Sequence, residues 1–144
     1  MGMIRLGDKP PLTVTADLTA RQAAQALSER GVGAAVVMAG ENVIGVVTER
    51  DVLRKVVAAG LRPDDVLVRD IMTSPVLSVG VKTTVAAAAG LMREHHIRHL
   101  VVQDENGKLV GMLALRYLLY ELMDDMQRNV GDLVGYIMID GPGG

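Results

Sequence analysis

Residues 10–38 read PPLTVTADLTARQAAQALSERGVGAAVVM, and residues 75–103 read PVLSVGVKTTVAAAAGLMREHHIRHLVVQ. Laid over one another without a gap, the two stretches match at Pro10/Pro75, Leu12/Leu77, Val14/Val79, Thr19/Thr84, Ala23/Ala88, Ala24/Ala89, Glu29/Glu94, Val36/Val101 and Val37/Val102. After one extra residue in the second copy the match resumes at Gly45/Gly111, Arg50/Arg116 and Leu53/Leu119. Apolar periods, turn residues and helix-end signals all stay in step, which is the mark of a duplicated folded unit.

Each copy opens with a short β-like piece after a proline, Leu12–Thr15 and Val76–Val79. A helix follows. In the first copy Asp17 or Thr19 can cap a run with Ala20, Ala23, Ala24 and Leu27 on one face, and Gly31 or Gly33 ends it; in the second, Thr83 or Thr84 precedes Val85, Ala88, Ala89 and Met92. Two strands and a polar turn come next, Ala34–Met38 with Val43–Val47 and His99–Gln103 with Leu109–Leu113, the second turn containing Asn106-Gly107. A second helix closes each copy, Arg50–Ala59 and Arg116 to about Arg128. The element order is β-α-β-β-α, twice, with repeat boundaries expected at 6–60 and 61–128. A tail, 129–144, carries an apolar patch from Val134 to Ile139, read as a frayed end or as a segment docking on a partner.

Composition bounds what such a chain does. Halves of about 50 residues are marginal alone, so they are expected to pack on each other. The chain is 49% apolar yet has no Phe or Trp, so its core must be aliphatic. A net charge of −2, with Lys and Arg scattered, leaves no footprint for nucleic acid. The absence of cysteine excludes disulfides, thiolate metal sites and thiol catalysis. The stretch Met1–Pro11 has no apolar core of signal-peptide length, and no later segment approaches a membrane span, so a soluble, cytoplasmic protein is expected.

Chemistry concentrates where the last strand of the first copy meets its last helix, at Gly45-Val46-Val47-Thr48-Glu49-Arg50-Asp51. A helix starting after Thr48 offers unpaired N–H groups, and Asp51 one turn along can accept hydrogen bonds from a vicinal diol such as that of a ribose. The same pattern is close to a capping box, with Thr48 as N-cap and Asp51 at the third helical position. The two roles are compatible. In the second copy the matching residues are Ala114 and Tyr117, which can play neither part, so one competent cleft per chain is expected. His95, His96 and His99 form a histidine cluster, but a helix end falls between His95 and His99 and no carboxylate stands at a matching step, which argues against a metal-dependent enzyme. No nucleophile elbow, phosphate-binding loop, dinucleotide fingerprint or zinc-protease motif is present. No enzymatic activity is expected.

The Gly45–Asp51 segment resembles the Gly-h-h-Thr-x-x-Asp ending (h, apolar) of cystathionine β-synthase (CBS) domains, and Val68-Arg69-Asp70-Ile71-Met72-Thr73 resembles their usual opening. The resemblance spans about Leu6 to Met123, as a tandem pair. It implies an α/β fold of two pseudo-symmetric β-α-β-β-α repeats packed through their sheets, and a homodimer formed through helices. It also implies a cleft between the repeats for an adenosine-containing ligand: AMP, ADP, ATP or S-adenosylmethionine. Carried onto this chain, that site comprises Val47, Thr48, Arg50, Asp51, Thr73, Val76, Leu77, Ile97 and Arg98. Thr73 would face the adenine edge, Val76, Leu77 and Ile97 its faces, and Arg50 and Arg98 phosphate oxygens. No cofactor and no metal are implied, and the downstream partner would be an effector protein not encoded in this stretch. The competing expectation is a dimerisation or interaction module whose cleft takes no small molecule.

Overall fold

Thr19 and Thr84, one repeat apart, start the first helix of each half in the same way. Thr19 Oγ1 accepts from the Gln22 N–H while the Gln22 side chain accepts from the Thr19 N–H, and Thr84 Oγ1 accepts from the Ala87 N–H. The computed structural model describes residues 2–4 and 10–128. Its elements are β1 (Thr13–Thr15), α1 (Ala20–Arg30), β2 (Ala34–Ala39), β3 (Asn42–Thr48) and α2 (Glu49–Val52), which runs on into one π-helical stretch, Leu53–Val57. A 3₁₀ turn (Pro63–Asp65) and the short α3 (Val68–Ile71) lead to β4 (Ser78–Gly80), α4 (Val85–His95), β5 (His99–Gln103), β6 (Leu109–Ala114) and α5 (Leu115–Arg128). The two opening strands are shorter than the sequence pattern indicates, and the second helices start one residue earlier. The apolar tail patch Val134–Ile139 lies outside the described residues.

Each half forms a three-stranded sheet, β1-β2-β3 and β4-β5-β6, whose first pair is parallel and second antiparallel. The duplication extends to register: Thr13 pairs with Val36 and Ser78 with Val101, and both hairpins carry an irregularity at the same place, Val37/Met38 and Val102/Gln103. In the second hairpin Asp104 Oδ1 accepts from the N–H groups of Asn106 and Lys108, and Gly107 takes the positive φ of 77° that the turn demands.

One face of each sheet is covered by its own helices. Val14, Ala23, Leu27, Val37 and Val47 cluster in the first core, and Ala88, Met92, Leu100, Leu113 and Leu118 in the second. Each fully buried Val or Leu contributes about 1.5–3 kcal/mol, so the buried clusters hold together on aliphatic side chains and Met92, with Tyr117 packed at the edge of the second. The alternate residues Ala34, Val36 and Val101 are buried too, yet they belong to neither cluster. Alternation points them to the opposite sheet faces, which only the other repeat can cover, so the halves pack through their sheets.

The chain also crosses between halves. Ala20 donates to the Val66 carbonyl (2.7 Å) and Val68 to that of Leu18 (2.8 Å), while Val85 donates to Gly2 (3.0 Å) and Ile4 to Thr83 (2.9 Å). Val66, Val68 and Ile71 therefore pack in the first core, and Ile4 in the second. Residues that follow the expected boundary at 61 thus contribute to the first core, and one near the N-terminus contributes to the second. Among the described residues no helix is long and apolar enough to cross a membrane.

Candidate functional site

The start of α2 is held by the reciprocal cap that its sequence allows. Thr48 Oγ1 accepts from the Asp51 N–H at 3.1 Å, and Asp51 Oδ2 accepts from the Thr48 N–H at 2.9 Å and from Thr48 Oγ1 at 3.1 Å. The Glu49 N–H is satisfied by the Gly33 carbonyl at 2.9 Å, and Leu115 repeats this contact with Arg98 at 2.8 Å. At Ala114 the second copy keeps the backbone anchor but has no side-chain acceptor. Asp51 is the one buried charged residue among the described residues, and its Oδ1 lies 3.1 Å from Lys55 Nζ.

Beside Asp51 opens a cleft of about 460 Å³, within the range that holds a nucleoside-sized ligand. One wall is built by Val46, Thr48, Glu49, Arg50, Asp51 and Arg54 at the β3–α2 junction; another by Thr73, Pro75, Val76 and Leu77 in the connector; a third by His95 through His99. Thr73 is fixed against β3 by two backbone hydrogen bonds with Val46, of 2.8 and 3.1 Å. The connector approaches so closely because Gly45 has no side chain: a β-carbon there would stand 2.6 Å from Met72 Sδ and 3.1 Å from the Thr73 carbonyl oxygen. The Ser74–Pro75 peptide is cis.

Of the residues expected from the sequence, Thr48, Arg50, Asp51, Thr73, Val76, Leu77, Ile97 and Arg98 come together around this cleft. Val47 does not. Its side chain is fully buried in the first core, and Val46, pointing to the other sheet face, lines the cleft in its place. Val46, Glu49, Arg54, Pro75, Gly33 and the histidines also line the cleft and were not among the site residues expected from the sequence. Strand parity and proximity to the named motif were the signals that could have found the first four.

The histidines belong to the wall and do not gather into a metal site; among the described residues no group of three or more His, Cys, Asp or Glu could hold a metal ion. His96 caps α4 in the left-handed region (φ 54°), at the position where Gly31 (φ 64°) caps α1. His99 is half-buried and close to Glu49: the His99 ring and the Glu49 carboxylate both lie within 3.5 Å of where a β-carbon on Gly33 would sit. Burial pushes the His99 pKa below its ordinary 6.5, and Arg98, Arg116 and Arg50 push the same way, against Glu49. A further hollow of about 520 Å³ is lined by Pro10, Pro11, Leu12, Thr13, Arg30, Leu109 and Val110. Pro10, Pro11 and Leu12 are the counterparts of Pro75, Val76 and Leu77, but none of these lining residues is acidic.

The family profile of the CBS domain matches residues 4–58 and again 68–124. The chain belongs to the CBS domain family. It is 40% identical over 102 residues to an uncharacterized protein of Methanopyrus kandleri, a match covering 70% of this chain and 52% of the relative, so the chain spans about half that protein's length. Among solved structures it is similar to a putative signal-transduction protein with CBS domains from Burkholderia ambifaria (TM-score 0.78, 33% identity, covering 87% of this chain and 90% of that one). It is likewise similar to the CBS domain protein PAE2072 from Pyrobaculum aerophilum, solved in complex with AMP (TM-score 0.73, 37% identity, 82% and 95% covered). The two profile matches coincide with the two sheets, so the duplication read from the sequence is a tandem CBS pair.

Proposed function

We propose that this CBS pair is a regulatory module that binds an adenosine nucleotide in the cleft between β3–α2, the 73–77 connector and the α4–β5 turn, with no chemistry of its own. The observation that carries the reading is the convergence, on one nucleoside-sized cleft, of a buried, cap-oriented carboxylate (Asp51), apolar side chains (Val76, Leu77, Ile97) and three arginines (Arg50, Arg54, Arg98). Asp51 receives the ribose hydroxyls, Thr73 and neighbouring backbone groups the adenine edge, and the apolar residues its faces. The arginines take phosphate oxygens, to which a guanidinium is well matched. This basic wall favours AMP, ADP or ATP over the cationic S-adenosylmethionine. The similar AMP-bound pair from Pyrobaculum supports the ligand class. The ligand touches both repeats, so it biases their relative arrangement to the extent that it binds one arrangement better.

A second reading concerns assembly. Leu53 and Val57 on the second helix of the first repeat are 60% and 61% exposed, and their counterparts Leu119 and Met123 on α5 are also exposed. Apolar side chains left open at matching positions of both repeats fit a second copy of this chain, placed so that equivalent helices meet.

A thermal-shift panel of AMP, ADP, ATP, S-adenosylmethionine and NADH tests the ligand reading. A nucleotide at a hundred times its Kd adds about 2.7 kcal/mol, a rise of several degrees for a chain of this size. Calorimetry is then expected to show one site per chain, since Ala114 and Tyr117 replace Thr48 and Asp51 in the other repeat. No shift with any compound leaves the pair as an interaction module.

A further inference from the structure

Lys55 stands one helical turn beyond Asp51, and its ammonium joins two parts of the site that are distant in sequence. Nζ lies 3.1 Å from Asp51 Oδ1 and donates to the Ile71 carbonyl oxygen at 2.8 Å. Ile71 ends α3, two residues before Thr73 enters the cleft wall. One cation thus ties the carboxylate to the connector that presents Thr73, Val76 and Leu77.

The two oxygens of Asp51 are used differently. Oδ2 accepts from both the N–H and the hydroxyl of Thr48, whereas Oδ1 receives Lys55. A carboxylate has about four acceptor sites, so Oδ1 is the oxygen with room for a ligand hydroxyl, and Lys55 sets where it points. Comparison of the repeats adds an independent observation. Thr48, Asp51 and Lys55 become Ala114, Tyr117 and Glu121, while Arg50 and Leu53 between them persist as Arg116 and Leu119. The lysine is replaced in the copy that lacks the carboxylate, and by a residue of opposite charge. Lys55 is half-exposed although Asp51 is buried; a pair four residues apart on a helix in itself adds only a few tenths of a kcal/mol, so helix stabilisation is a weak reason for Lys55 to differ together with Asp51.

We infer that Lys55 is a positioning residue that sets ribose selectivity: it aims Asp51 Oδ1 at the sugar hydroxyls and locks that aim to the connector. This rests on the adenosine reading above. The test is calorimetric titration of the full chain with AMP, 2′-deoxy-AMP, ATP and dATP, for wild type, Lys55→Met and Lys55→Gln, with melting temperatures taken in parallel. Wild type is expected to prefer each ribonucleotide. Lys55→Met is expected to bind AMP about tenfold more weakly and to bring the ratio of AMP to 2′-deoxy-AMP affinity close to one, with the melting temperature shifted little. Lys55→Gln provides the ratio if Lys55→Met binds too weakly to measure. Ratios that stay at the wild-type value, even with both nucleotides weakened, overturn the inference and leave the adenosine reading standing. A wild type that binds none of the four nucleotides overturns both.

Discussion

Replacing Asp51 by alanine removes two things that the structure allows to be separated. The first is structural. Thr48 Oγ1 still accepts from the residue-51 N–H, so half of the cap survives, but the Thr48 N–H, now satisfied by Asp51 Oδ2 at 2.9 Å, loses its partner. An orphaned, half-buried N–H costs about 1–2 kcal/mol, and losing the partner of the half-exposed Lys55 adds about 0.5 kcal/mol. Alanine's better helix propensity returns about 0.5 kcal/mol. The net loss, about 1.5 kcal/mol, lowers the melting temperature by about 5 °C for a chain of this length. It leaves a typical domain folded at 25 °C. The second loss is functional: a carboxylate gripping a diol supplies about 3 kcal/mol, over a hundredfold in affinity. Asp51→Asn keeps an acceptor for Thr48 and is expected to recover most of the melting temperature but not the affinity. Thermal denaturation without ligand and calorimetry with AMP read the two losses independently. AMP affinity unchanged in Asp51→Ala would refute the diol contact, and an unchanged melting temperature would refute the cap argument.

Three other outcomes follow from the same geometry. His99 stays neutral in the folded chain at pH values where an unfolded histidine, with its ordinary pKa of 6.5, takes up a proton. Its contribution to ligand-free stability is therefore complete above about pH 6.5 and lost as pH falls through the depressed folded value; urea unfolding between pH 7.5 and 5 is expected to show this loss, reduced in His99→Gln, and identical profiles for the two proteins would contradict it. Gly45→Ala drives a β-carbon toward Met72 and the Thr73 carbonyl; it is expected to cost about 1–3 kcal/mol and to weaken AMP binding by displacing Thr73, whereas a melting temperature equal to wild type would show that the connector yields freely. Leu53→Asp and Leu119→Asp place a charge on the exposed helix faces, and sedimentation analysis is expected to find a wild-type dimer and monomeric variants; a monomeric wild type would dismiss the dimer.

Much of this architecture was legible because it is local and was written twice. Capping residues at or near Thr19 and Thr84, a glycine ending the first helix, the Asn106-Gly107 turn and alternating valines specify elements through contacts a few residues long, and a fixed offset then requires the second half to copy the first; the left-handed His96 after α4 carries no such signal. That Thr48 and Asp51 stand together at the start of α2, where they line the candidate cleft, was legible for the same reason, since the cap spaces them. The motif misled at Val47: it names a position, but the sheet face that position meets follows from strand parity and from what covers each face.

What the sequence alone determined is the repeated β-α-β-β-α order, the aliphatic cores, and the asymmetry by which Thr48, Asp51 and Lys55 lack counterparts. What only the tertiary structure decided is how distant segments meet. Val66, Val68 and Ile71 enter the first core and Ile4 the second, Thr73 docks on Val46 across the gap left by Gly45, and Lys55 joins Asp51 to Ile71. These are contacts between segments whose approach is set by packing, and no periodicity or spacing along the chain encodes which backbone carbonyl an ammonium will reach.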